Sequence, residues 1–216
     1  MSKNLKNRIN TSFALLLLLS LMFLNYYILV YFLMIIGLFS LLEFFGIIKI
    51  LFTKKGIKQL LFNSLFTIYI FIFVLIIVAF SSSSGLKILI FAILLICITS
   101  DLGGFIFGKV FKGAKLTKIS PNKTIAGAIG SILLSVCTSI LLFNYFTDYF
   151  ELQFLVIGLI TSIGCQLGDL FFSFLKRKSY LKDTGNFLPG HGGILDRIDG
   201  ILLGLPLGFL SLLVIY

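Results

Sequence analysis

Long apolar runs separated by short polar segments make up the chain. Residues 13–48 carry a single charge, Glu43. As one helix they would reach about 54 Å at 1.5 Å per residue, too long for a hydrocarbon core of roughly 30 Å. Two spans with a break near Asn25-Tyr26-Tyr27 fit instead. Further runs follow at about 60–80, 88–107, 125–147, 153–175 and 200–216. The pattern predicts an all-α, polytopic transmembrane bundle of about seven spans, the first being the shortest.

The charges test that reading. With the N-terminus (Lys3, Lys6, Arg8) inside, the segments 49–59, 108–124 and 176–199 also fall inside. Of the 18 Lys and Arg, only Lys87 then lies opposite. The outer connections are Ser81 to Gly85 and a loop with Asp148 and Glu151. This asymmetry follows the positive-inside rule and predicts a cytoplasmic N-terminus and cytoplasmic basic loops.

Composition agrees: 59% of residues are hydrophobic and 12% charged, against about 45–50% and 25% in soluble domains. The net charge of +10 would suggest nucleic acid in a soluble protein. Here topology and anionic headgroups account for it, and no nucleic-acid partner is expected. The three cysteines, Cys97, Cys137 and Cys165, fall inside apolar runs and read as packing residues. Residues 1–12 look like the start of a signal peptide, but no small-residue cleavage site follows, so an uncleaved first span is expected. No repeat or long linker appears. We read residues 1–216 as one integral membrane domain, with N-terminal spans at 10–80 and the chemistry in spans and loops at 88–216.

Five of the eight acidic residues, Asp101, Asp169, Asp183, Asp196 and Asp199, lie in or beside the two long inner loops. Carboxylates at membrane depth are costly and default to functional candidates. Near the end of the sixth span Gln166, Asp169, Ser173, Lys176 and Arg177 fall on one helical stripe. Carboxylate and hydroxyl suit a hard cation such as Mg²⁺, and the cations beyond them suit phosphate. Then come Lys182-Asp183-Thr184-Gly185, Pro189-Gly190-His191-Gly192-Gly193 and Asp196-Arg197-Ile198-Asp199. The glycines permit backbone donors to wrap a phosphate. His191, the single histidine, reads as a hydrogen-bonding loop residue. In the other loop Lys118 and Lys123 flank Ser120-Pro121 like a phosphate clamp, whereas Lys109, Lys112 and Lys115 read equally well as topology-setting charges. Gly103 to Lys109 fits G-x-x-x-x-G-K, but Val110 replaces the Ser or Thr and no strand precedes it, which excludes a P-loop. Gly200, Gly204 and Gly208 should form a close-packing helix face.

The run from Ser173 to Asp199 resembles the signature of the phosphatidate cytidylyltransferases (CDP-diacylglycerol synthases). It matches S-x-x-K-R, then K-D-x-G, then P-x-H-G-G-x-x-D-R-x-D. Leu167-Gly168-Asp169-Leu170, Asp101 to Gly108, and Lys118 to Thr124 are also similar to that family, and Glu43-Phe44 more weakly. The resemblance covers residues 100–216, and 1–99 by hydropathy. It departs at Ile125-Ala126-Gly127, where the family carries Trp-Glu-Gly.

The resemblance implies transfer of CMP from CTP to phosphatidate, giving CDP-diacylglycerol and pyrophosphate at the cytoplasmic face. It implies Asp169 and Asp196 as principal metal ligands with Asp199 close by, and Mg²⁺ as cofactor, leaving room for a second cation such as K⁺. It assigns Ser173, Lys176 and Arg177 to phosphate and the lipid headgroup. Lys182, Asp183, His191 and Arg197 would shape the nucleotide or pyrophosphate site, with Asp101, Lys118, Ser120, Lys123 and Thr124 closing it from the other loop. Asp169, Lys176, Asp196 and Asp199 are thus the catalytic set. A homodimer is a further implication. The Ile-, Phe-, Lys- and Asn-rich composition points to an AT-rich bacterial genome and so to a cytoplasmic (inner) membrane. Three rivals remain: a CTP-using lipid kinase, which would release CDP, an ion-coupled transporter, and an inactive structural relative.

Overall fold

In the computed structural model, helix α1 (Lys3–Leu24) stops where the first apolar run was expected to break. Asn25 caps α2 (Tyr26–Leu51) in an extended conformation, its side chain accepting from the amides of Tyr27 and Ile28. An Asn oxygen supplies the acceptor that the first turn of a helix lacks. There follow α3 (Ile57–Ser81), α4 (Ser84–Phe111), α5 (Ile125–Thr147), α6 (Gln153–Lys178) and α7 (Leu195–Ile215). The structure describes residues 3–52, 56–117, 120, 123–185, 187 and 192–215, with side chains from residue 13 onward. Among them there is no strand; an isolated bridge pairs Lys115 with Thr124.

The described residues are therefore all-helical in their regular structure, with seven helices among them. Six of them, α2 to α7, are long and apolar enough to cross a membrane, while the apolar part of α1, Phe13–Leu24, is shorter. Large side chains such as Phe71, Leu75, Leu141 and Val214 stay exposed on these helices, as expected of a surface that lipid covers.

Several helices run past their apolar stretches into polar sequence. α6 continues through Lys176, Arg177 and Lys178, cations favoured at a helix C-terminus by the macrodipole. It ends with Tyr180 at φ 56°, where the Tyr180 amide donates to Arg177 and the Leu181 amide to Lys176. That paired bonding is a Schellman stop, here built without glycine. α4 ends at Phe111, followed by positive φ at Lys112 and Gly113. The chain returns with Ile125 N donating to Ala114 and Leu116 N to Lys123, and Thr124 then caps α5.

The helices form two compact units, residues 1–87 with 175–198, and residues 88–174 with 199–216. The segment 175–198 thus groups with the N-terminal helices.

In the first unit α2 packs on α1 and α3. Phe44 and Phe66 stack at 3.8 Å between centroids, and Leu33, Ile47, Ile48 and Ile70 are also buried in this unit. Phe39 meets Phe187 at 3.9 Å, and Ser179 donates to the Ile47 carbonyl.

The second unit depends on small residues. A Cβ at Gly103 would run into the Gly130 carbonyl, and one at Gly158 would lie 2.7 Å from Val136 Cα. The Gly200, Gly204, Gly208 face packs closely, as expected. Cβ atoms there would meet the Cys165 carbonyl at 3.2 Å, the Cys165 sulfur, and the Thr161 hydroxyl respectively. Cys97 and Cys165 are free, buried thiols beside that face, and Cys137 is free and exposed. Ser100 and Ser162 share a buried hydrogen bond of 2.8 Å, which satisfies both hydroxyls where water is absent.

Candidate active site

Two groups of polar side chains stand out, one in each unit. In the second unit a cavity of about 330 Å³ is lined by Asp101, Ser120, Lys123, Thr124, Gln166 and Asp169, and by Gly127 and Ala128. Its position follows from the caps just described. Thr124 accepts from the Gly127 amide at 3.1 Å, so the first turn of α5 opens onto the cavity. Helix N-termini favour anions. Lys123 reaches Asp169 of α6 as an ion pair, and Ser173, one turn on, donates to Asp169 Oδ1 at 3.2 Å. Gln166 donates to the Ala128 carbonyl at 3.2 Å and the Ser162 hydroxyl at 3.3 Å, tying α6 to the start of α5.

Asp199 belongs to this unit too. Its backbone carbonyl abuts Gly168, where a Cβ would lie 2.5 Å away, and its Oδ1 accepts from the Gly200 amide. Asp169 thus follows the point where α6 and α7 touch backbone to backbone.

In the first unit, Asp196 in the first turn of α7 collects donors from three places. Lys176 bonds Oδ1 at 2.6 Å, while the amides of Thr184 and Gly193 bond Oδ2 at 2.8 and 3.1 Å. The pair is well buried, with side-chain exposures of 12% for Lys176 and 7% for Asp196. Beside it is Glu43 of α2. Its carboxylate accepts from the Thr184 hydroxyl at 2.7 Å and from the Ile194 and Leu195 amides, each at 2.9 Å. Together Asp196 and Glu43 close the base of the loop between Thr184 and Gly193.

The structure therefore gathers Asp101, Ser120, Lys123, Thr124, Asp169 and Ser173 in one unit, and Lys176 with Asp196 in the other. Arg177, Lys182, Asp183 and Arg197 lie on exposed surface of that first unit. Lys118 and His191 lie outside the described residues. The glycine reading changes at Gly193. A Cβ there would strike the Thr184 hydroxyl and the Glu43 carboxylate, and its amide is spent on Asp196. This glycine makes room for a carboxylate of the protein itself. Glu43 is the residue that site reasoning from sequence omitted, although its signal was present: it is the lone charge of residues 13–48.

A metal implied by such a site can be tested against these donors. Among the described residues no three Asp, Glu, Cys or His side chains gather as a ready ligand set. Asp169 offers a hard carboxylate donor on the cavity wall, of the kind that suits a cation such as Mg²⁺, but its oxygens are engaged by Ser173 and Lys123, so it would have to exchange Lys123 to take a metal. Asp196 has both oxygens engaged and would have to exchange Lys176 to take a metal.

The sequence profile of the cytidylyltransferase family matches residues 2–215. The chain belongs to that family. Curated relatives are phosphatidate cytidylyltransferases of staphylococci. That of Staphylococcus aureus (strain COL) is 44% identical over 128 residues, 58% of this chain and 48% of that protein. That of Staphylococcus haemolyticus (strain JCSC1435) is 45% identical over 129 residues, with the same shares. The chain thus spans about half the length of the curated relatives it matches.

Proposed function

We propose that the chain transfers CMP from CTP to phosphatidate, giving CDP-diacylglycerol and pyrophosphate. The observation that carries this is the cavity at the α5 N-terminus, with Lys123 and Asp169 on its wall, in a chain of the cytidylyltransferase family. An oxygen of the lipid phosphate attacks the α-phosphorus of CTP, and the bond to the bridging oxygen breaks as pyrophosphate leaves. The substrate supplies the nucleophile, so the protein positions and neutralises. Lys123, Lys176 and Arg177 lower the repulsion between the two anions. Ser120, Thr124 and Ser173 hold phosphate oxygens, while Asp101, Lys182, Asp183 and Arg197 orient nucleotide and pyrophosphate. A divalent cation such as Mg²⁺ would supply positive charge that offsets the charge of the phosphates. Asp169, Asp196 and Asp199 are the candidate ligands, and Asp169 and Asp196 would each exchange a paired lysine to take it. The same reading places the basic loops on the cytoplasmic side of a bacterial inner membrane, where CTP and phosphatidate meet, and expects two copies of the chain to associate there.

The test is CTP labelled at the α-phosphorus, offered with Mg²⁺ and phosphatidate in micelles. Label should pass to lipid as pyrophosphate appears. Label remaining in soluble CDP, beside a newly phosphorylated lipid, would mean a kinase and end this proposal. In the same assay Lys123→Met should lower the rate about tenfold or more, since it removes a charge worth a few kcal/mol to a developing phosphate anion. Lys123→Arg should recover part of that loss. A Lys123→Met enzyme as fast as the unaltered one would remove this lysine from the site.

A further inference from the structure

Phe39, Glu43 and Ile47 are spaced by four, so they form one stripe along α2. Each holds a different point of the segment 179–195. Phe39 packs on Phe187, Ile47 accepts from Ser179 through its carbonyl, and Glu43 binds both Thr184 and the Ile194-Leu195 amides. The glycines of the segment are shaped to this contact. A Cβ at Gly185 would lie 2.7 Å from Glu43 Oε1, and one at Gly193 would collide with the same carboxylate. A serine or aspartate at the start of α7 would have sufficed to cap that helix. A carboxylate from α2 does more, because one group fixes the loop base and the helix start together. What it fixes is the frame of Asp196 and Lys176: the Thr184 and Gly193 amides that bond Asp196 flank the atoms that bond Glu43.

We propose that Glu43 is a positioning residue for the CMP transfer, acting through the 184–195 segment on Asp196 and Lys176. This rests on the reaction proposed above. Glu43 touches no reacting atom. Its loss leaves substrate binding largely in place and lets the Lys176–Asp196 group drift from the geometry the transition state needs. Errors of an ångström in such groups cost rate far more than affinity.

The experiment compares the full chain with Glu43→Gln in lipid nanodiscs, by steady-state kinetics and by amide hydrogen exchange. Glutamine keeps the shape but turns an NH₂ toward N–H donors. The expected result is kcat down about tenfold or more, KM for CTP and phosphatidate within about twofold, and faster exchange confined to Ile194, Leu195 and the neighbouring Thr184 and Gly193 amides. Thr184→Val, a milder variant that leaves the α7 cap, should show the same split at smaller size. Adding it to Glu43→Gln should cost no more than about a further twofold. A Glu43→Gln kcat within twofold of the unaltered chain overturns the proposal. So does a loss of exchange protection throughout the helices, which would make Glu43 a residue of general stability. A folded, unaltered chain that forms no CDP-lipid overturns the reaction and with it the catalytic role. The exchange measurement then still decides whether Glu43 clamps the segment.

Discussion

Asp196→Asn should reduce CDP-lipid formation by at least about a hundredfold and also destabilise the fold. Asp196 is surrounded by donors: an ammonium on one oxygen and two amides on the other. Asparagine cannot serve both sides. With its oxygen toward Thr184 and Gly193 it aims an NH₂ at Lys176; turned over, it aims that NH₂ at two N–H groups. Removing one partner of a buried ion pair typically costs about 3–5 kcal/mol, because the remaining charge is left uncompensated. The Lys176–Asp196 pair is buried enough for that range to apply. Lys176→Met is the informative companion. It leaves the carboxylate with its two amide bonds, so stability should fall less while activity still falls. The double variant should be more stable than Asp196→Asn alone. Thermal unfolding followed by size exclusion, with the CDP-lipid assay, separates these effects. An Asp196→Asn chain within about threefold of normal activity would contradict the account.

Gly168→Ala should destabilise the second unit, although it adds only one methyl. Alanine in a helix interior is ordinarily better than glycine by roughly 0.5–1 kcal/mol. Here the new carbon would lie 2.5 Å from the Asp199 carbonyl and 3.3 Å from both Cα and O of Gly200. These are backbone atoms of α7, with no flexible side chain to turn aside, so α6 and α7 must part. Overpacking of this kind costs about 1–3 kcal/mol and occasionally more. A fall in apparent melting temperature of roughly 5 °C follows for a chain of this size, and catalysis should suffer because Asp169 moves with α6. Gly46→Ala is the control. Nothing lies within 4 Å of a Cβ there, so that substitution in α2 should stabilise. Equal effects from the two alanines would mean that α6 and α7 are not in close contact at Gly168.

The helices were legible because lipid enforces a coarse rule. Asn25 interrupted an apolar run and proved to be a cap, and the run at 125–147 matched α5 at both ends. Other ends were misplaced by up to ten residues, the start of α1 by the most. Hydropathy stops at the first charges, whereas α6 continues through three cations and α7 begins at Leu195 under the carboxylates of Glu43 and Asp196. The Gly204 face was legible from its spacing of four. Gly193 was misread as a phosphate cradle because its neighbour in space is 150 residues away in sequence. Asp169, Ser173 and Lys123 could be placed near one another from helical period and motif. The clamp from Glu43 could not, since no local pattern reports a partner on a distant helix.

That distance has a consequence for the order of events at the ribosome. Glu43 is made early, yet its donors at Thr184, Ile194 and Leu195 follow 141 to 152 residues later. At about 5–20 residues per second the wait is roughly 7–30 seconds. Through that interval α2 must enter the bilayer carrying a carboxylate whose partners do not yet exist. Truncated chains ending before Thr184 should therefore insert α2 poorly or shallowly, and a Glu43→Leu change should relieve the defect in the truncated chain while harming the full-length one.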